Sequence, residues 1–508
     1  MTATRRAAKT ERSESTPDPA TRFASVVELA ALLRKRKASA VELAESVLAD
    51  LEREGPRYNA LASLMRERAL REARAADRAL ARGAARTPLV GIPYGAKDLL
   101  AAVGAPTTWG APQYAEQTFD EDAAVVDRLR RAGAVLAAKL AMVELAGGGG
   151  YRYPKASLQG PGLNPWDTGR WSGGSSSGSG AAVGAGLVPF AIGSETSGSI
   201  GTPAAYCGVT GLRPTYGLVS RRGAMALSWT LDKIGPMARS AEDCAIVLEA
   251  IAGPDSGDAT LSGKRFKRLD RRAATARVRA VRVGYSGEEL VLATPEAKAA
   301  LEKGIAEFRR ILKPKVVKAA LPEGLPYGPM VFTVHAAEGA AAFADLIESP
   351  HWEELRDTRQ MIGLRDALDI RARDYLRALR LRTVLQERLR ALFQDVDVLL
   401  SFGRNTTATP VGQRLDQPAS GSGGAPASQP RPVGNVALIP AGNLAGLPAI
   451  FFPCGFGSDG LPVGLQLVGP PFSEPLLVAL AEAYQRETDH HLRRPPAATA
   501  TRRAATTP

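Results

Sequence analysis

The chain is poor in cysteine and histidine. Cys207, Cys244 and Cys454 are scattered over 508 residues with no CxxC spacing. An odd, dispersed set excludes a disulfide framework and fits a reducing compartment. The four histidines, His335, His351, His490 and His491, form no HExxH or HxH pattern. A zinc site is therefore not expected. No apolar run reaches the roughly 20 residues of a membrane span. The polar opening stretch MTATRRAAKTERSESTPDPA has no apolar segment after Arg5 and Arg6. No signal peptide is expected, and the cytoplasm is the expected location.

Acidic residues are outnumbered, which leaves a net charge of +13. Residues 264–282, KRFKRLDRRAATARVRAVR, hold nine Lys/Arg against Asp270 alone, which is +8 of that +13. Charge runs of this kind are usually solvated. A surface connection is the expected role, and nucleic-acid contact is the lesser reading.

Elsewhere helix and strand signals alternate. Ser25-Val-Val-Glu28 and Ser39-Ala-Val-Glu42 are capping-box patterns, each opening a helix with apolar residues at helical spacing. LVGIPYGAKDLL (89–100) reads as a strand running into a loop, and residues 122–140 as helix, glycine stop and strand. Thr294-Pro295-Glu296 opens a helix to about Leu312. VDVLLS (396–401), AIFFPCGF (449–456) and LPVGLQLVG (461–469) are buried-strand candidates, and residues 473–487 a closing helix. This interleaving predicts an α/β fold, a sheet with helices on both faces. Residues 1–20 and 493–508 lack periodicity and read as disordered tails around one domain, 21–492. The Gly/Ser/Pro-rich stretch 402–434 reads as a functional or mobile loop.

The most informative segment is WSGGSSSGSG (171–180), followed by SETSGSIG (194–201). A flexible linker does not fit, because the apolar AAVGAGLVPFAIG (181–193) follows at once. A phosphate loop needs GxxxxGK[ST], and no lysine lies in 171–201. Gly174 to Gly178 matches GxSxG with Ser176 as nucleophile, yet no histidine stands out as its base. A lysine is the remaining candidate. Burial disfavours the ammonium form and makes the amine a usable base. Lys97, at the end of the apolar GIPYGAKDLL, is placed for that, the bland alternative being a surface Lys97–Asp98 pair.

GIPYGAKDLL, NPWDTGRWSGGSSSGSGAAVGAG and SETSGSIGTPAAYCGVTGLRPTYGLVS together resemble the signature blocks of the amidase signature family. LDKIGPMARSAEDCAIVLEAIAGPD, GNLAGLPAIFFPCGF and LPVGLQLVGPPF extend the resemblance in order toward the C-terminus. The resemblance implies one large domain with a twisted mixed sheet. It implies a Lys97–Ser175–Ser199 trio: Lys97 as base, Ser175 on a cis peptide after Gly174 as proton bridge, Ser199 as nucleophile. Ser176 would support the network. Backbone N–H groups of Thr196, Ser197, Gly198 and Ser199 would form the oxyanion nest. No metal or organic cofactor is implied.

Three departures from the family pattern are visible. Ser197 stands where a glycine is common, and serine would be strained there if φ must be positive. Gly201 stands where an arginine is common. The segment AMVELAGGGGYRYP (141–154) is altered and would border the substrate, with Tyr151 and Tyr153 read as exposed loop tyrosines. The leading functional reading is a free-standing amidase acting on a small-molecule amide. The alternative is the glutaminase component of a tRNA-dependent amidotransferase, which would need partner subunits.

Overall fold

Among the described residues, eleven strands make one sheet. They are β1 (Leu61–Leu64), β2 (Pro93–Lys97), β3 (Val135–Leu140), β4 (Phe190–Glu195), β5 (Thr210–Arg213) and β6 (Lys233–Ala238). The rest are β7 (Arg282–Tyr285), β8 (Lys315–Lys318), β9 (Val398–Phe402), β10 (Ala449–Phe456) and β11 (Pro462–Val468). Their order is β1-β3-β2-β4-β6-β5-β10-β11-β9-β7-β8. The sheet is mixed: β2 runs parallel to β3 and β4, while β6 runs antiparallel to β4. The computed structural model describes residues 21–415 and 434–496.

The helix starts obey local chemistry. Ser25 and Ser39 each accept a hydrogen bond from the backbone N–H of the glutamate three residues on, and that glutamate's carboxylate accepts from the serine's own N–H. Both capping boxes are thus complete. The helix Ala124–Arg131, its glycine stop and β3 follow as expected, as do the helices Pro295–Leu312 and Glu474–Arg486. The candidate strands at 396–401, 449–456 and 461–469 are β9, β10 and β11.

Some expectations need correction. The basic run is mostly exposed, with Phe266 and Val281 buried, but ten of its residues form a helix, Arg271–Ala280, whose first turn is capped by Asp270. Periodicity there was masked because no apolar face is buried. Arg493 and Arg494, read as the start of a tail, lie over the rings of Phe456 and Phe23 at 5.4 and 4.9 Å. The remaining tail segments, 1–20 and 497–508, and residues 416–433 lie outside the described residues. Helices fill much of the stretch between 327 and 395 and pack beside the 144–153 loop, as described below.

The strand pairing places the site. β2 and β4 are parallel neighbours, so their C-terminal ends, Lys97 and Ser194-Glu195, lie at one edge. Open α/β sheets bind ligands outside the carboxyl ends of their strands. The helix Ser177–Gly184 lies wholly buried on β4. A Cβ at Gly178 would meet Ala141 N and Ala60 O at 2.5 Å, so only glycine allows this approach. The Ser/Gly run is therefore packed backbone.

Candidate active site

Lys97 has no exposed surface. Its Nζ donates to Ser175 Oγ at 2.7 Å and to Ser194 Oγ at 2.9 Å. Burial pulls its pKa down from 10.5 to about 7, against the opposing fields of Asp232 and Glu195. The adjacent acid does not neutralise it. Successive strand residues point to opposite faces, and Asp98 turns to Lys139 Nζ, 2.7 Å away. Asp98 also accepts from the Thr108 N–H at 3.0 Å and from the Thr108 hydroxyl. The surface Lys97–Asp98 pair is thereby overturned: both are buried and each has its own partners.

Ser175 follows Gly174 through a cis peptide bond and is buried. Its carbonyl accepts from Val143 N–H at 3.1 Å. Ser176 joins the segments. Its N–H donates to the Ser199 carbonyl at 3.3 Å, and its hydroxyl donates to the Ser194 carbonyl at 3.2 Å. In return it accepts from Ser194 N–H at 3.3 Å. Ser176 is thus held by backbone groups.

Ser199 is partly exposed and stands two residues before the helix Gly201–Cys207. The left-handed conformation needed nearby falls on Gly198, with φ +93°, and not on Ser197. The serine at 197 is therefore free of the strain its position suggested. Among the described residues, no hydrogen bond is donated by the N–H of Thr196, Ser197, Gly198 or Ser199.

Glu195 anchors this loop and was missed from sequence. One carboxylate oxygen accepts from Ile200 and Gly201 N–H, both at 2.9 Å. The other meets Arg213 Nη1 and Asn443 Nδ2, both at 2.8 Å. Burial would raise its pKa, but Arg213 and the other donors together hold it down at about 2. The cation that Glu195 meets is Arg213, 2.8 Å away. A Cβ on Gly201 would meet the Phe451 ring at 2.5 Å. Thr196 is fixed in turn, its hydroxyl donating to Asp232 Oδ1 at 2.6 Å. The signal available in the sequence was a lone acid within SETSGSIG.

A cavity of about 230 Å³ reaches this edge of the sheet, lined by Ser194, Thr196, Asp232, Ala146, Leu227 and Trp229. The segment at 144–153 borders the serines, held by a clasp. Glu144 accepts from Arg356 and Asp357 N–H at 2.8 and 3.0 Å. Asp357 accepts from Arg152 and Tyr153 N–H at 2.8 and 3.1 Å. Burial raises the Glu144 pKa to about 7 despite those donors. Tyr151 is not an exposed loop tyrosine: its ring meets Trp171 edge-on at 6.0 Å. Tyr153 is half-buried, with Lys155 Nζ 5.6 Å from its ring centre. His351 and His490 bond instead to Glu354 and Glu307.

The amidase family model matches residues 42–478. A glutamyl-tRNA(Gln) amidotransferase subunit of Chloroflexus aggregans is 38% identical over 480 residues, covering 90% of this chain and 95% of that one. The peptide amidase of Stenotrophomonas maltophilia superposes with a TM-score of 0.77 at 32% identity, over 93% of this chain and 98% of that one. The corresponding glutamyl-tRNA(Gln) amidotransferase subunit of Thermotoga maritima superposes with a TM-score of 0.73 at 28% identity, over 92% and 95%. With motifs, sheet and serine–lysine geometry in agreement, the chain belongs to the amidase signature family of enzymes.

Proposed function

We propose that the protein cleaves a carboxamide C–N bond through an acyl-Ser199 intermediate. One observation carries this reading: a fully buried Lys97 whose Nζ lies 2.7 Å from Ser175 Oγ. A serine hydroxyl attacks poorly until its proton is removed. Ser199 passes its proton to Ser175, and Ser175 passes one to the neutral Lys97 amine. A hydroxyl both donates and accepts, so Ser175 bridges. The reverse path protonates the leaving amine. The uncommitted N–H groups at 196–199 take the negative oxygen of the tetrahedral intermediate. Water then attacks the acyl-serine by the same relay.

The amide in question is proposed to be that of glutamine, with ammonia handed to a partner. The 38% identity to the Chloroflexus amidotransferase component, over nearly the whole chain, favours this over the free-standing hydrolase. The second reading keeps one supporting observation, the closer superposition on a peptide amidase (TM-score 0.77 against 0.73). Ammonia release from glutamine is measured for the chain alone and with the host's candidate partner subunits. A rise of about tenfold or more with partners supports the amidotransferase reading. Partner-independent hydrolysis of simple amides, with no such rise, sinks it. Ser199→Ala is expected to lower kcat/KM by about 10²-fold or more on either substrate; a smaller loss overturns the nucleophile.

A further inference from the structure

Lys97 meets a second hydroxyl, one that the relay from Ser199 does not use. Its Nζ lies 2.9 Å from Ser194 Oγ, besides the 2.7 Å to Ser175 Oγ. Ser194 stands on β4, buried, on the wall of the cavity of about 230 Å³. Its backbone is fixed from two sides. It pairs with Ile234 on β6. Ser176 Oγ bonds both its N–H, at 3.3 Å, and its carbonyl, at 3.2 Å. Ser176 N–H donates in turn to the Ser199 carbonyl. Among the described residues, the Ser194 hydroxyl accepts from Lys97 and donates to no acceptor.

A charged lysine only donates. A neutral one has two N–H bonds and one lone pair, and it serves as a base only when the lone pair meets the proton it takes. Rotation about Cε–Nζ must therefore be set by a neighbour. We propose that Ser194 is a positioning residue for the reaction: its oxygen accepts one N–H of the Lys97 amine and so turns the lone pair to the Ser175 hydroxyl. As the proton moves, the Ser175 O–H bond breaks, an Nζ–H bond forms, and the ammonium donates to both oxygens. Ser194 thereby favours the charged product of the transfer as well as its geometry. The charged groups whose fields reach the amine are Asp232 and Glu195. Glu195 is held ionised by Arg213, its pKa down at about 2. Asp232 accepts from Thr196, Leu227 and Ser228, and desolvation raises its pKa. Burial pushes the pKa of Lys233, next to it, well down. The cavity's cations, Arg221 and Arg222, pair with Asp258 and Asp255, and Lys139 pairs with Asp98. The assignment rests on Lys97 acting as the base for Ser199.

Two measurements on the full-length protein test this. The first is the rate at which a fluorophosphonate probe labels Ser199 as pH is raised from 6 to 10. In Ser194→Ala the high-pH rate is expected to fall about tenfold. The rising limb should also move about one pH unit below that of wild type, because the ammonium loses a charge-assisted bond. The deficit therefore shrinks toward pH 6, which a packing defect does not produce. Ser194→Thr keeps the hydroxyl and should restore most of the rate and the limb. A folded Ser194→Ala protein whose limb stays in place, or whose high-pH rate is within about twofold of wild type, overturns the proposal. So does a limb moved to higher pH, which would make Ser194 a donor to the neutral amine. The second measurement needs no chemistry at Ser199. Melting temperatures are compared at pH 6 and pH 10 for wild type, Ser194→Ala, Lys97→Met and the double variant. With Lys97 present, Ser194→Ala should cost more at pH 6, where the folded ammonium uses the oxygen. In the Lys97→Met background its cost should be the same at both pH values, since Asp232 and Lys233 are unchanged there. The same pH dependence in both backgrounds overturns the contact. Wild-type protein that the probe leaves unlabelled sinks the Ser199 reading instead, and the melts still decide Ser194.

Discussion

Lys97 is stable as an ion in water and nearly balanced between its two forms in the fold. Its folded pKa of about 7 lies below its ordinary 10.5. Two consequences follow at the residue scale. If the neutral amine is the base, kcat/KM rises with pH along a limb centred near 7. A profile flat from pH 6 to 8 contradicts the assignment. The second consequence concerns stability. Between pH 7 and 10.5 the unfolded chain holds a proton on Lys97 that the folded chain lacks. Stability therefore rises with pH across that window, and the buried amine is most costly below it. Lys97→Met is expected to abolish turnover yet raise the melting temperature, with a larger gain at pH 6 than at pH 10. A lower melting temperature at pH 6 would mean that the amine is structurally paired.

At the scale of elements, the loop at 196–200 is held by a carboxylate, not by its own helix. Glu195 ties the end of β4 to Ile200, Gly201, Arg213 and Asn443, and Arg213 is itself fully buried. Removing one member of such a pair leaves the other as an uncompensated charge, at a cost of about 3–5 kcal/mol. Glu195→Gln should show that loss in urea unfolding at pH 7. The folded pKa of about 2 lies below the ordinary 4.5. The charge thus stabilises the fold above pH 4.5 and its contribution disappears as pH falls toward 2. The difference between wild type and Glu195→Gln should accordingly shrink on acidification. A constant difference would place the effect in packing alone. The capping boxes of the first two helices were readable from four-residue patterns, because their partners are three positions apart. The clasp between Glu144 and Asp357 was not, because 213 positions separate them.

At the scale of the whole molecule, the net charge of +13 is uneven. The helix Arg271–Ala280 presents Arg271, Arg272, Arg277 and Arg279 to solvent, and it buries none of its residues. Replacing those four by glutamine lowers the formal charge from +13 to +9, since each change removes one positive charge. Retention on heparin should weaken, eluting at lower salt, because polyanion binding follows the number of cations engaged. Amide turnover should stay within about twofold, as surface changes away from a site are usually near neutral. Lost turnover in a folded variant would tie this helix to the chemistry. The apolar strands were legible because they are buried on both faces. This helix was not, since no stripe of apolar residues marks it.

The chain's linear order carried the signature blocks whose resemblance implies Lys97, Ser175 and Ser199, and the fold brings the first two of these within 2.7 Å. Linear order was enough for the α/β class as well, through the alternation of capped helices and apolar strands. It did not reveal which acid each cation meets. Asp98 is next to Lys97 in the chain but pairs with Lys139, because a strand turns successive side chains to opposite faces. Glu195 finds Asn443 248 positions away, and Tyr151 folds onto Trp171 through a clasp on a distant helix. Proton affinity depends on burial and on charges a few ångströms off, and those distances exist only once the sheet has brought remote segments together.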